Sequence, residues 1–457
     1  MVEAWEGSRV ESSARLAISF REQRLRNGLR VIVSPDDSAP VVTVALYYNV
    51  GFRLEPRGRT GFAHLFEHLM FQGSEQMAKL EFIRIVQQTG GLLNGTTRPD
   101  FTNYFETLPS HALELALWME ADRMRGPVIT QAELDNQRDV VKNEIRVNVL
   151  NRPYGGFPWI DLGARAYSNW ANAHNGYGDM QDLDAATLED VRDFFARYYA
   201  PANAVLVIVG DADAREALAL AERHFSEIPS QAAPAEPDIA EPRRLREERF
   251  RMEDPLAHLP ALALGYHVPE RGTADFFALG LLDQVLLQGD DALLRRELVH
   301  ERGLTDELHG GMNLLGNMFN GRTPMLWAPW LIHDREASVE TVLGAIDAVV
   351  ERVREHPLPA DDFARAKLKA RSALYETAAG GMFPGLGRAD LLASAALIDG
   401  DTGWINGVEE RLEDLTPGVV LATAREYLRS SNRAVLAVEA GAGPDASPDP
   451  PDATGAS

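Results

Sequence analysis

The sequence predicts an α+β protein built as two homologous halves, and three observations carry that expectation. The first is an internal repeat. Thr187, Tyr198 and Asn203 recur as Thr416, Tyr427 and Asn432, each displaced by 229 residues. In both places a helical pattern ending in an aromatic residue turns at the asparagine into an apolar run, Ala204-Val-Leu-Val in one and Arg433-Ala-Val-Leu in the other. Similarity at one offset is the mark of a duplicated unit, and two unrelated helix–strand units are the competing account. The second observation is length: 457 residues are too many for one ordinary core. The third is a Pro/Ala/Glu-rich stretch, 229–246, that reads as a linker. It separates an amino-terminal domain, 1–228, from a carboxy-terminal one, 247–440. Residues 441–457, mostly Gly, Pro, Ala and Asp, are expected to be a disordered tail.

Taken in order, residues 1–22 read as polar and irregular. A strand is expected over Leu29–Val33. A turn at Pro35-Asp-Asp then leads to a second strand over Val41–Val50, rich in β-branched and aromatic residues. Helical patterns dominate from about 60 to 198, a buried strand follows at Ala204–Val209, and a helix at Ala214–Phe225. A second run of strand, helices, strand and helices extends from Leu259 to Val438.

Composition excludes several classes of function. The apolar fraction is 45% and the charged fraction 25%, as in globular proteins. No segment approaches the roughly 20 apolar residues that a membrane span needs. With 45 Lys+Arg against 68 Asp+Glu the formal charge is −23, and no basic patch offsets it, so nucleic acid is not an expected partner. The absence of cysteine removes disulfides, thiolate nucleophiles and cysteine metal sites together. The amino terminus has no basic start followed by an apolar run, so a cytoplasmic location is expected, or a periplasmic one if a native leader was trimmed.

The stretch that carries chemistry is Thr60-Gly-Phe-Ala-His-Leu-Phe-Glu-His-Leu-Met-Phe-Gln-Gly73. Thr60 is expected to cap a helix that Gly73 ends. Phe62, Leu65, Phe66, Leu69 and Met70 form one apolar stripe, and His64, Glu67 and His68 fall on the opposite face. Four residues advance a helix by about one turn, so the two imidazoles project side by side, as two ligands of a tetrahedral Zn²⁺ must. Glu67 stands beside them, where it can take a proton from water that the metal has acidified. Two histidines on a solvated helix face would leave the same pattern, and the motif alone does not choose. A third ligand is also required, usually a carboxylate. Glu144, in Val140-Val-Lys-Asn-Glu-Ile145, sits beside an apolar helix edge where desolvation is costly, yet on these residues alone an ordinary boundary glutamate is the better reading.

His64-Leu-Phe-Glu-His68 resembles the inverzincin motif. The surrounding sequence resembles the pitrilysin/insulinase family of zinc metallopeptidases, in its bacterial and mitochondrial-processing-peptidase-like branch. The similarity runs through Asn27–Val33, Val50–Pro56, Gly58–Gly73, Gly90–Thr97, Thr102-Asn-Tyr104 and Trp118–Met124. The resemblance implies a third ligand 76 residues after the second histidine, which is Glu144, and one Zn²⁺ per chain. It implies two halves, each a mainly antiparallel sheet with helices on one side, facing each other across a chamber. Asn94-Gly95 takes the place of an Asn-Ala in an edge strand that binds the substrate backbone, although Asn-Gly is also a strong hairpin-turn signal. Gln137 stands where many relatives carry a supporting Glu.

The second half departs from the family pattern. Self-sufficient relatives carry an Arg and a Tyr seven residues apart around a Gly-Leu. In Leu298-Val-His-Glu-Arg-Gly-Leu-Thr-Asp306 those positions hold Val299 and Asp306, neither able to stabilise an oxyanion, and Arg302 is three residues out of place. The resemblance therefore implies a zinc endopeptidase for unfolded or short peptides, with Glu67 as general base. It also implies a heterodimer with a homologous subunit that lacks the zinc motif and supplies the Arg/Tyr pair. The alternative is a catalytically weak peptide-binding or structural subunit.

Overall fold

The computed structural model of the chain describes residues 15–441, so most of the expected tail, like residues 1–14, lies outside the described residues. The first half holds a six-stranded sheet in the order β1 (Arg21–Arg24), β2 (Arg30–Pro35), β6 (Ala204–Gly210), β3 (Val41–Tyr48), β5 (Thr102–Pro109), β4 (Leu92–Thr97). The second half repeats the order β2-β6-β3-β5-β4 with its own five strands. They are β7 (Glu248–Asp254), β11 (Arg433–Ala440), β8 (Ala261–His267), β10 (Leu326–Ile332) and β9 (His309–Met312). Each sheet has one parallel pair, β2–β6 or β7–β11, and is otherwise antiparallel.

The repeat has a structural cause. Thr187 and Thr416 each cap a helix by accepting a backbone N–H three residues on. At the far ends, Asn203 donates to the Tyr198 carbonyl at 2.9 Å and Asn432 to the Tyr427 carbonyl at 2.8 Å. The asparagine satisfies a terminal carbonyl while the chain turns into a central strand. β6 is buried along its whole length, which is why it reads as one apolar run.

Two strands, β4 and β5, lie within the stretch that reads as helical. Their camouflage is polar: Asn103, Glu106 and Thr107 are buried in β5, and β4, at the sheet edge, is exposed or half-buried except at Gly95. The second expected strand ends at Tyr48 rather than Val50.

Four helices of the first half matter below: α1 (Phe62–Leu69), α2 (Glu81–Gln88), α3 (Leu113–Arg125) and α4 (Gln131–Ile145). One face of the first sheet, with Val31, Val44, Leu46 and Tyr48, packs under them. The other face, with Ile32, Ala45, Tyr47 and Val207, joins the core of the second half, where the helix Leu386–Ser394 lies against β3 and β6. The exchange is mutual. Phe157, Leu162 and Ala166, from the first half's sequence, pack on Ala263, Leu326 and Leu436 of the second sheet. Residues 229–246 form no helix or strand, and Glu241 among them accepts from Ser168, Asn169 and Asn172. No helix among the described residues is long and apolar enough to cross a membrane.

Candidate metal centre

Helix α1 is anchored by its apolar stripe: Phe62, Leu65, Phe66 and Leu69 are buried, and Phe66 stacks on Phe194 and Tyr199. Its start differs from the expectation. Gly61, not Thr60, precedes the first turn, with φ of +82° and no side chain to cap with. Buried Glu55 does that work from outside the helix, accepting from the amides of Gly61 at 2.9 Å and Ala63 at 2.8 Å. A carboxylate there also meets the positive end of the helix dipole. Burial raises the Glu55 pKa, and His174 at 3.4 Å offsets part of that rise. Burial works against the His174 cation too, but Glu55 and the carbonyls of Trp170 and Phe52 outweigh it and raise its pKa. Thr60 is turned to other partners: its hydroxyl donates to Asp182 at 2.6 Å and accepts from the Asp179 amide at 2.8 Å.

The structure brings His64, His68 and Glu144 together. The two Nε2 atoms lie 3.3 Å apart, and the Glu144 Oε2 is 3.3 Å from His68 and 3.6 Å from His64. Tetrahedral ligands held about 2.0–2.1 Å from Zn²⁺ are separated by about 3.3–3.4 Å, so the donor triangle fits that ion. Burial pushes His64 down to about 4, with His68 adding to the effect, so its ring is neutral near pH 7 and offers a lone pair. The His68 contact holds the Glu144 carboxyl below its ordinary value.

Glu67 sits between this triangle and strand β4. Thr97 donates to its Oε2 at 2.7 Å. Burial raises its pKa, only partly offset by that hydrogen bond. Gly95 lies against it so closely that a Cβ there would come within 3.1 Å of the Glu67 Cγ. Asn94 and Gly95 are in mid-strand, opposite Phe105 and Tyr104, at the open edge of the sheet and not in a turn. The Asn94 side chain is exposed, and its Oδ1 accepts from the Gly95 amide. Gln137 is buried two turns before Glu144, yet among the described residues no hydrogen bond joins the two; Asn148 is the neighbour that helps hold the carboxyl below its ordinary value.

A cavity of about 380 Å³ opens beside His64 and Glu67, lined by Thr97, Arg98, His174 and Tyr177 from the first half and by Leu314 and Arg322 from the second. Val299 and Asp306 are not among its lining residues, and Arg302 donates to Glu297 at 2.7 Å. Sequence reasoning passed over Tyr177, Asn148 and the Glu55–His174 pair. Glu55 lies in a quoted motif stretch, but nothing in the spacing assigns it a partner 119 residues on.

The chain matches two family models. One, described as insulinase (peptidase family M16), covers residues 30–153, and the other, the peptidase M16 inactive domain, covers 185–369. His64, His68 and Glu144 all fall in the first. A zinc protease of Helicobacter pylori, PqqE, is 31% identical over 291 residues, covering 62% of this chain and 64% of that protein. The bovine mitochondrial-processing peptidase subunit beta is 29% identical over 269 residues, covering 57% and 54%. The matched stretches thus span less than two thirds of these curated relatives. A crystal structure of a Helicobacter pylori protease superposes with a TM-score of 0.85 at 24% identity, over 93% of this chain and 100% of that one, a likeness of fold.

Proposed function

Because the chain belongs to the M16 family of peptidases, we propose that it is a zinc-dependent endopeptidase acting on unfolded or short peptides. The observation that carries this reading is the triangle of His64, His68 and Glu144, whose donor atoms lie 3.3 to 3.6 Å from one another. A zinc ion held there supplies Lewis acidity and brings the pKa of water at the site toward about 7. Glu67 takes the proton of the attacking water and returns it to the leaving amine. Its raised pKa suits both steps, since a base near the working pH gives a proton back readily. Thr97 holds Oε2 and so leaves Oε1 for the proton. The open edge of β4 can accept an extended peptide as a further strand, which reads backbone and asks little of side chains.

Glu67→Gln should keep the metal and lose turnover, because the amide preserves shape without basicity. His64→Ala, His68→Ala and Glu144→Ala should each lose most of the metal. Full zinc content in Glu144→Ala would sink the third-ligand assignment.

The oxyanion donors that the family resemblance expects in a second domain are absent at Val299 and Asp306. We infer that a homologous subunit without the zinc motif supplies them in trans. The bovine relative is, by its name, one subunit of a peptidase. Losing one oxyanion donor costs about 10²–10³ in rate, so the isolated chain should bind zinc and hydrolyse peptides weakly, gaining at least about tenfold with the partner. The same two residues favour a second reading, a catalytically weak peptide-binding or structural subunit. Glu67-dependent hydrolysis by the assembled pair separates the two.

A further inference from the structure

Glu144 is the weakest-held of the three donors. Its side chain is 29% exposed, against 11% for His64 and 23% for His68. It also stands at the end of α4, where the helix opens after Ile145 into a wide π-type turn, Arg146–Leu150. A half-exposed glutamate with three rotatable torsions does not hold one rotamer unaided.

Two side chains converge on it. Asn148, inside the wide turn and four residues on, stands on the same side of the helix as Glu144, near enough to help hold the carboxyl below its ordinary value. Tyr177 approaches from elsewhere in the chain: its ring meets the His64 ring edge-on at 5.2 Å, and its hydroxyl lies near enough to Glu144 for that carboxylate to add to burial in raising its pKa. The backbone at Tyr177 is pinned to the metal-bearing helix. A Cβ on Gly178 would fall 2.4 Å from the Gly61 nitrogen, and one on Gly61 would fall 2.6 Å from the Tyr177 carbonyl. Both glycines have positive φ, so this contact is open only to them. The segment that follows is tied to α1 by the Thr60 hydrogen bonds to Asp179 and Asp182. It is tied to α4 by Lys142 on Asp184 and Arg138 on the Ala186 carbonyl. One short segment thus stitches together the two helices that carry the ligands.

We propose that Tyr177 and Asn148 are a positioning pair that sets the Glu144 carboxylate as a metal ligand, an inference that rests on the metal-centre reading above. Removing the outer partner of a ligand commonly lowers metal affinity by about 10–100-fold. Tyr177→Phe keeps the ring against His64 and removes only the hydroxyl, and Asn148→Ala removes the amide without touching the cavity wall.

The test uses the full chain. Metal-free wild type, Tyr177→Phe and Asn148→Ala are titrated with Zn²⁺ against a competing chelator, and melting of the metal-free proteins is recorded alongside. Affinity about 10–100-fold weaker in both variants, with metal-free melting unchanged, is the expected result. Replacement by Co²⁺ should show an altered visible spectrum in Tyr177→Phe, since a reoriented carboxylate changes the ligand field. Wild-type affinity in Tyr177→Phe overturns the inference, as does a fall in metal-free melting that matches the loss of affinity. A folded wild type that takes up no zinc overturns the metal-centre reading itself, a result distinct from the other two.

Discussion

The same helix, in the same place, does different things in the two halves. Sixteen residues beyond the end of the central strand stand His64 in the first half and Asp283 in the second; twenty beyond stand His68 and Leu287. The helix bearing Asp283, Ala274–Leu286, is buried almost throughout, and Asp283 accepts from Trp327 Nε1 at 2.7 Å and Gln288 Nε2 at 3.1 Å. Beside it lies a cavity that is also about 380 Å³, but its far wall is Ala370, Ala373, Leu374 and Thr377, with no glutamate where α4 offers Glu144. Sheet order and helix placement are therefore properties of the duplicated unit. Chemistry resides in three or four side chains, and a fold match alone cannot supply it.

The sharpest way to break the contrast is to remove the base alone. Glu67→Gln should lower turnover by about 10²–10⁴-fold with metal content unchanged, checked by peptide hydrolysis beside metal analysis. Making the first helix like the second is the next step. His68→Leu should lose most of the zinc, whereas Asp283→Asn should keep it all, as metal analysis of the two proteins would show. A smaller effect is expected at the strand edge. Gly95→Val sets a branched side chain, larger than the Ala of relatives, 3.1 Å from the Glu67 Cγ and should cost roughly tenfold in kcat with zinc retained, part of the ~10²-fold that a 1 Å misplacement brings.

The smallest effect is on stability. Burial pushes Asp283 from 3.8 up to about 6, so the folded state holds its proton longer than the unfolded one and stability falls as pH rises from about 4 to 6, by about 3 kcal/mol. His64, pushed down to about 4 in metal-free protein, has the opposite sign: the unfolded chain takes its proton first, and stability is lost as pH falls from 6.5 to about 4. Denaturation midpoints of metal-free Asp283→Asn should thus rise more steeply across that window than those of wild type.

What could be read in advance follows the range of the interactions. The α1 stripe and the His/Glu/His face need only helical spacing, and the repeat shows because the Asn203 and Asn432 turns are local. Glu144 is legible only through family spacing, since nothing nearby marks it apart from any boundary glutamate. β5 is concealed because Glu106 is buried in it beside Glu120 and Arg123, defeating the alternation that betrays a strand. Tyr177 carries no local mark at all; its place depends on two glycines, Gly61 and Gly178, meeting from 117 residues apart.

The turn between β4 and β5 has a mechanical consequence. Arg53, buried with Asp100 at 3.0 Å, also donates to the carbonyls of Arg322 and Pro324 across the boundary between halves. Asp100 in turn accepts the Arg322 amide, and Arg98 reaches the Leu315 carbonyl. Prying the halves apart would leave that ion pair intact, since both members belong to the first half, but would strip from it the Arg322 and Pro324 carbonyls and the Arg322 amide, hydrogen bonds to charged groups worth about 1.5–3 kcal/mol each. The boundary beside the cavity thus resists separation of the two halves.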